Sequence, residues 1–226
     1  MAMIFDAIDP CPGKPVSPYP RVVTAYQQFV TKASSNGALS VNETGLQSAV
    51  NEAKAQNAML SLDIETWPVN WPILQSAITA ARKLAPTMRI SFFGSGPVSG
   101  TMLSQGLGGT PSAFATAESI NRSDSCRRTN AMADFTSPPC YLSSTQKMQD
   151  FLASSGLILA QARDFGKPVY AEICPAYSDN NQLIDPADWS TIIWNLCAIC
   201  DGLIVWGHFS AWPSDQSWWN ALGGLT

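Results

Sequence analysis

The chain has 226 residues, 46% hydrophobic and 13% charged, with a formal net charge of -4 and a pI near 4.9. That length and apolar content support one sizeable α/β core and exclude a disordered chain. The acidic balance leaves no basic footprint for nucleic acid or an anionic membrane, and no apolar run approaches the roughly 18 residues of a membrane span.

The N-terminus, MAMIFDAIDP, lacks a basic stretch followed by an apolar one. The expectation is therefore a soluble protein made in the cytosol, released by lysis or built into a larger particle if it acts outside. Residues Met3–Ile8 read as a strand with Asp6 on the face opposite Phe5 and Ala7, and PCPGKPVSPYP (10–20) is a proline-rich loop. Helical spacing of Val22, Val23, Tyr26, Phe29 and Val30 predicts a helix from about Arg21 to Ser34, ended by Asn36-Gly37. Leu39–Val41 is a short strand candidate, and Asn42 or Thr44 caps a helix to about Asn57. LSLDIE (60–65) is a strand closed by Trp67-Pro68, and Pro72 suits the first turn of a helix to about Leu84.

Met88–Phe93 is the next strand, followed by a Gly/Ser-rich loop over Gly94–Thr110 and a helix near Ser112–Ile120. That loop lacks the Lys-Ser/Thr ending of a phosphate-binding loop and reads better as a mobile rim loop. Ala131–Thr136 is a strand closed by Pro138-Pro139, and Ser143 or Ser144 caps a helix to about Asp164, stopped by Gly166. Pro168–Ile173 is a strand, Asp185 caps a helix over Pro186–Cys200, Gly202–Trp206 is the last strand, and SDQSWWNAL the last helix.

Strand and helix alternate, so parallel strands joined by helical crossovers are expected in a single domain over residues 1–226. Six strands and a possible seventh suit either an open doubly wound sheet or a reduced TIM-type barrel. Period two places Asp6, then Asp63 with Glu65, Ser91, Asp134, Tyr170 with Glu172, and Trp206 with His208 on one face. Open parallel sheets are apolar on both faces. One face turning polar at the strands' C-terminal ends favours a TIM-like (β/α) barrel of about seven strands, whose rim would carry the site.

Asp63 and Glu65, at i and i+2 of one strand, suit glycoside hydrolysis. The scissile oxygen needs a proton donor, and a close second carboxylate raises the donor's pKa and steadies developing positive charge. The alternative is a hydrated strand end. Eight tryptophans favour a carbohydrate groove, because their faces stack on sugars. The Cys197/Cys200 pair lacks a second ligand pair and His208 is the single histidine, so neither a metal site nor a cofactor is expected. Cys126 and Cys140 are a disulfide candidate that spacing leaves open.

PVYAEICPAY (168–177), followed by a helix and GLIVWG (202–207), resembles the PVY…PxY and VxxWG segments of the hyaluronidase family. LDIETWP and SPPCY precede them in the family's order, so the resemblance spans about residues 58–208 in four short segments. It implies that Glu65 is the general acid. The substrate's own N-acetyl oxygen would act as nucleophile, oriented by Asp63, in a pocket lined by Tyr141 and Trp206. Two positions depart from the family: Glu172 stands where it has an apolar or aromatic residue, and Cys174 where it has a basic one. So few rim cations suit anionic hyaluronan poorly. Glu172 also opens a second mechanism, a Glu65/Glu172 pair acting across the barrel.

The expectation is thus a glycosidase acting on a polysaccharide or oligosaccharide with N-acetylated amino sugars. Asp63, Glu65 and Glu172 are the candidate catalytic residues, and Asp6, Trp67, Asp134, Tyr141, Tyr170, Trp206 and His208 the candidate substrate contacts. The rival is a non-catalytic carbohydrate-binding or structural barrel subunit of a larger assembly.

Overall fold

A computed structural model describes residues 3–66, 69–94, 97 and 111–223. The strands are β1 (Met3–Ile8), β2 (Val22–Tyr26), β3 (Thr31–Ala33), β4 (Leu39–Val41), β5 (Met59–Asp63), β6 (Ile90–Phe92), β7 (Tyr170–Ile173) and β8 (Gly202–Gly207). The helices are α1 (Gln27–Val30), α2 (Glu43–Ala55), α3 (Trp71–Leu84), α4 (Pro111–Asn121), α5 (Asp124–Ala131), α6 (Met148–Arg163), α7 (Pro186–Cys197) and α8 (Ser217–Gly223).

Parallel pairing joins β1–β8–β7 in one sheet and β2–β5–β6 in another, while β3 and β4 form an antiparallel hairpin. Isolated parallel bridges connect the two sheets. Asp6 with Arg21 ties β1 to the foot of β2, and Phe93–Ser137, Thr136–Val169 and Pro139–Glu172 lay residues 136–139 between β6 and β7. In spatial order the pairing runs β1, β2, β5, β6, 136–139, β7, β8 and returns to β1. Ala131–Thr136, expected as a strand, is instead the end of α5, a turn and a bend leading into the bridged residues 136–139, which form no regular strand. Pro138 and Pro139 have no N–H to donate to a ladder. At the prolines the segment pairs through a carbonyl, Pro138 O accepting from Glu172 N at 3.0 Å, while Thr136 N and Cys140 N on either side donate to Pro168 O and Glu172 O at 2.9 and 2.7 Å.

Two helix-facing cores lie outside this ring. One packs Ile4, Ile8, Ile173, Leu203 and Val205 against α6, α7 and α8 through Phe151, Leu159, Trp189, Ile193 and Trp218. The other packs Val23, Ala25, Leu60, Leu62, Ile90 and Phe92 against α2 and α3 through Leu46, Val50, Leu74 and Ile78. A third cluster contains no helix residue: Phe5, Ala7, Val22, Met59, Phe135, Tyr170 and Ile204 meet inside the ring, with Trp206 against them.

That inner cluster corrects two expected orientations. Phe5 and Ala7 face inward, so Asp6 lies on the outer face with Ile4 and Ile8. Phe135 faces inward, and Asp134 with its alternate parity does not.

The helix expected over Arg21–Ser34 is instead β2, one turn of α1, and the β3–β4 hairpin. Both faces of VVTAY are largely covered, and a two-sided apolar run cannot be told from a buried helix by periodicity alone. Capping follows sequence more closely. Asn42, Asn70 and Asp185 accept from Gly45 N, Ile73 N and Ala187 N at the starts of α2, α3 and α7. α6 begins at Met148, later than the Ser143 or Ser144 expected, and α7 ends at Cys197. All six cysteines are free, so Cys126 and Cys140 are not bridged.

Candidate active site

The inner face changes character along the strands. At the foot lie Val22, Met59, Phe135 and Tyr170, all apolar or aromatic, with Phe5 and Ile204 in register above them. Above them β2, β5 and β6 bring Thr24, Ser61 and Ser91 into register. Ser91 Oγ donates to Phe135 O at 2.7 Å, and Ser137 Oγ to Phe92 O at 3.1 Å. At the C-terminal end β2 and β5 set Tyr26 beside Asp63. Small hydroxyl residues in the middle leave room for carboxyls at the top.

Asp63 ends β5 half-buried, and Glu65 follows two residues on, exposed at the rim. Ile64 between them is fully buried in the α2–α3 core, which holds both carboxyls on the inner side. Burial first, and the Glu65 carboxylate second, push Asp63 up to about 7. Burial also raises Glu65 above its usual range. Glu172, on β7, is 3% exposed; burial and then the charge of Asp63 raise it well above the carboxylate range, with Glu65 adding to this. Its Oε1 accepts from the Tyr141 hydroxyl at 3.2 Å. Tyr141 in turn lies between Phe93 and Trp206, with ring centroids 6.0 and 5.9 Å away.

A polar chain continues from Trp206. Its indole N–H donates to Tyr26 Oη at 3.3 Å, and Tyr26 donates to Asp9 Oδ2 at 2.7 Å. The same oxygen lies 3.0 Å from His208 Nδ1, on a side chain that is 75% exposed. A cavity of about 1010 Å³ opens on the outer side of β2 and shares Asp9, Tyr26, Trp206 and His208 with this rim.

The structure thus brings together Asp63, Glu65, Glu172, Tyr141 and Trp206, with His208 at the edge. It does not bring Asp6, Asp134 or Tyr170 to them. Asp6, 0% exposed, is paired with Lys14 at 3.0 Å and Arg21 at 2.6 Å. Asp134 is engaged by Arg82 and accepts from Ile90 N at 2.8 Å. Tyr170 lies at the foot of the ring, where Arg89 donates to its hydroxyl at 2.8 Å and sits over its ring. Trp67 and most of the Gly94–Thr110 loop fall outside the described residues.

Tyr26 and Asp9 were missed in sequence. Tyr26 lies in the stretch that reads as a helix, and Asp9 follows β1 on the face of Phe5 and Ala7, which the expected inward placing of Asp6 turns away from the site. The tryptophans are less sugar-facing than their number suggested. Trp189, Trp218 and Trp219 are buried in the α6–α8 core, and Trp212 packs on the last two at 5.3 and 5.4 Å.

No protein-family model matches the sequence, and no curated protein shows significant similarity to it. Among solved structures, bee venom hyaluronidase aligns over 92% of this chain and 91% of its own, with TM-score 0.67 and 13% identity. The same enzyme in complex with a hyaluronic acid tetramer aligns over 84% and 78%, with TM-score 0.61 and 15% identity. At such identity the likeness is one of fold: this chain has the architecture of that hyaluronidase.

Proposed function

We propose that the ring is a reduced TIM-type barrel of seven strands, and that the protein is a glycoside hydrolase acting on a glycan with N-acylated amino sugars. One observation carries this reading. Three carboxyls, Asp63, Glu65 and Glu172, meet at the C-terminal ends of the strands under an aromatic wall of Tyr141 and Trp206. Rim sites at that end are the rule for barrel enzymes. The likeness to a hyaluronidase that binds a hyaluronic acid tetramer supports a glycan in such a rim.

Glu65 is the general acid: it is exposed to an incoming glycosidic oxygen, and burial of its stem keeps it protonated to higher pH than a free carboxyl. Asp63, deeper in the site, accepts the N–H of the 2-acylamino group with a carboxyl oxygen. It thereby turns the acyl oxygen toward the anomeric carbon, where that oxygen attacks and water later completes hydrolysis. Tyr141 and Trp206 enclose the acyl group. Glu172 suits the nucleophile of a Glu65/Glu172 pair poorly, because a nucleophile must ionise readily and be reachable, whereas this carboxyl is buried and its burial disfavours the charged form.

Turnover should be measured on defined chitin, peptidoglycan and glycosaminoglycan fragments, for the wild type, Glu65→Gln and Asp63→Asn. Each substitution is expected to lower kcat by about 10²–10⁴-fold, the range of a lost general acid or a misplaced acyl nucleophile. Undiminished activity in Glu65→Gln would sink the assignment. Binding without turnover by the wild type would favour a non-catalytic carbohydrate-binding barrel.

A further inference from the structure

We infer that Glu172 is a positioning residue: its carboxyl anchors the Tyr141 hydroxyl from beneath, holds that ring against Trp206, and takes no part in bond making or breaking. This rests on the reading of Tyr141 and Trp206 as the acyl-group wall, and it gives a role to the one carboxyl that reading leaves over.

The geometry is specific. Glu172 Oε1 receives the Tyr141 hydroxyl at 3.2 Å, while Oε2 is buried and has no hydrogen-bond partner among the described residues. Backbone bonds fix both ends of this contact. Glu172 N donates to Pro138 O at 3.0 Å, and Glu172 O accepts from Cys140 N at 2.7 Å, one residue before Tyr141. Segment 136–139 and β7 therefore hold the phenol and its acceptor in one rigid frame.

The groups around the carboxyl are Asp63 and Glu65 from β5 and its extension, Tyr141 and Cys140 from the proline segment, and Cys174 two residues along its own strand. All are acidic or neutral, and among the described ion pairs none includes Glu172. An ionised carboxylate with one hydrogen bond and no cation is costly in such a place, so the group is held as the neutral acid. A neutral acid can accept from Tyr141, but it cannot attack an anomeric carbon. A polar residue here thus replaces side-chain bulk with a directed hydrogen bond, and Tyr141 is held by its hydroxyl as well as by stacking.

Three variants and one spectrum test this. Glu172→Gln keeps shape, neutrality and an acceptor, and is expected to hold kcat/KM within about threefold of wild type with an unchanged pH profile. Glu172→Leu removes the acceptor and should raise KM about tenfold, the cost of an unpaired buried hydroxyl, with a much smaller change in kcat. Glu172→Ala with added azide should yield no glycosyl azide. A collapse of Glu172→Gln to the level of Glu65→Gln, or azide rescue of Glu172→Ala, would overturn the inference while leaving the glycosidase reading standing.

A readout independent of activity is the ¹³C carboxyl resonance of Glu172 in the full chain, assigned by its loss in Glu172→Gln. It should show the protonated acid at pH 7. A carboxylate shift there would equally overturn the inference, whether or not any glycan is hydrolysed.

Discussion

Asp63 is costly to the protein that carries it. Its carboxyl ionises near pH 7 when folded and near 4 when unfolded, so folding disfavours its charged form. The sign follows: below about pH 4 the group is protonated in both states and costs nothing, between about 4 and 7 the penalty grows, and above 7 it is constant. Asp63→Asn should therefore raise the Tm above pH 7, by up to about 4 kcal/mol of stability, with the gain fading toward pH 4. Thermal melts of both proteins across that range measure it. Asp6 is the opposite case, a buried carboxylate matched by Lys14 and Arg21 across the β1–β2 junction. Asp6→Ala strands two cations and should cost about 3–5 kcal/mol in urea unfolding, with little change in the site.

At the scale of elements, the start of α2 shows how closely local sequence and tertiary contact agree. Asn42 caps the helix through Gly45 N, and its amide donates to Phe29 O at 2.8 Å, tying α1 to α2. Gly45 permits this approach, because a Cβ there would lie 1.9 Å from the same carbonyl. Gly45→Ala must displace backbone, and a loss of about 3 kcal/mol is expected by chemical denaturation. The caps of α2 and α7 were legible in sequence, since Asn or Asp before a helical run satisfies open N–H groups wherever the helix packs. β2 was not. Its residues are largely covered toward both the ring interior and the α2 layer, and two-sided burial erases the period that separates strand from helix.

For the molecule as a whole, the two outer cores are built by different stretches of chain. α2 and α3 cover one sheet, and α6, α7 and α8 the other. The inner cluster takes residues from β1, β2, β5, β7 and β8, so neither half buries its inner face alone. Unfolding should then be one cooperative transition. With Trp71 of α3 replaced by Phe, fluorescence is dominated by Trp189, Trp212, Trp218 and Trp219 of the α6–α8 side, and far-UV circular dichroism reports both halves. The two urea curves are expected to coincide, and separated midpoints would show halves that unfold independently.

The alternation of strand and helix, the capped helix starts and the shared face of Asp63 and Glu65 were determined by sequence. Each depends on neighbours a few residues apart, where backbone geometry sets which way side chains point. Tertiary structure alone decided what those carboxyls meet. It turned Asp6 and Asp134 to the outer face, because the inside of the ring is filled by Phe5 and Phe135. It also brought Tyr26 and Asp9 to the rim from a segment that read as a helix and from just past a strand's end. Glu172 shared the expected face all along, but only its burial beneath Tyr141 separates an anchor from a nucleophile. Burial is a property of packing, and packing joins residues far apart in the chain.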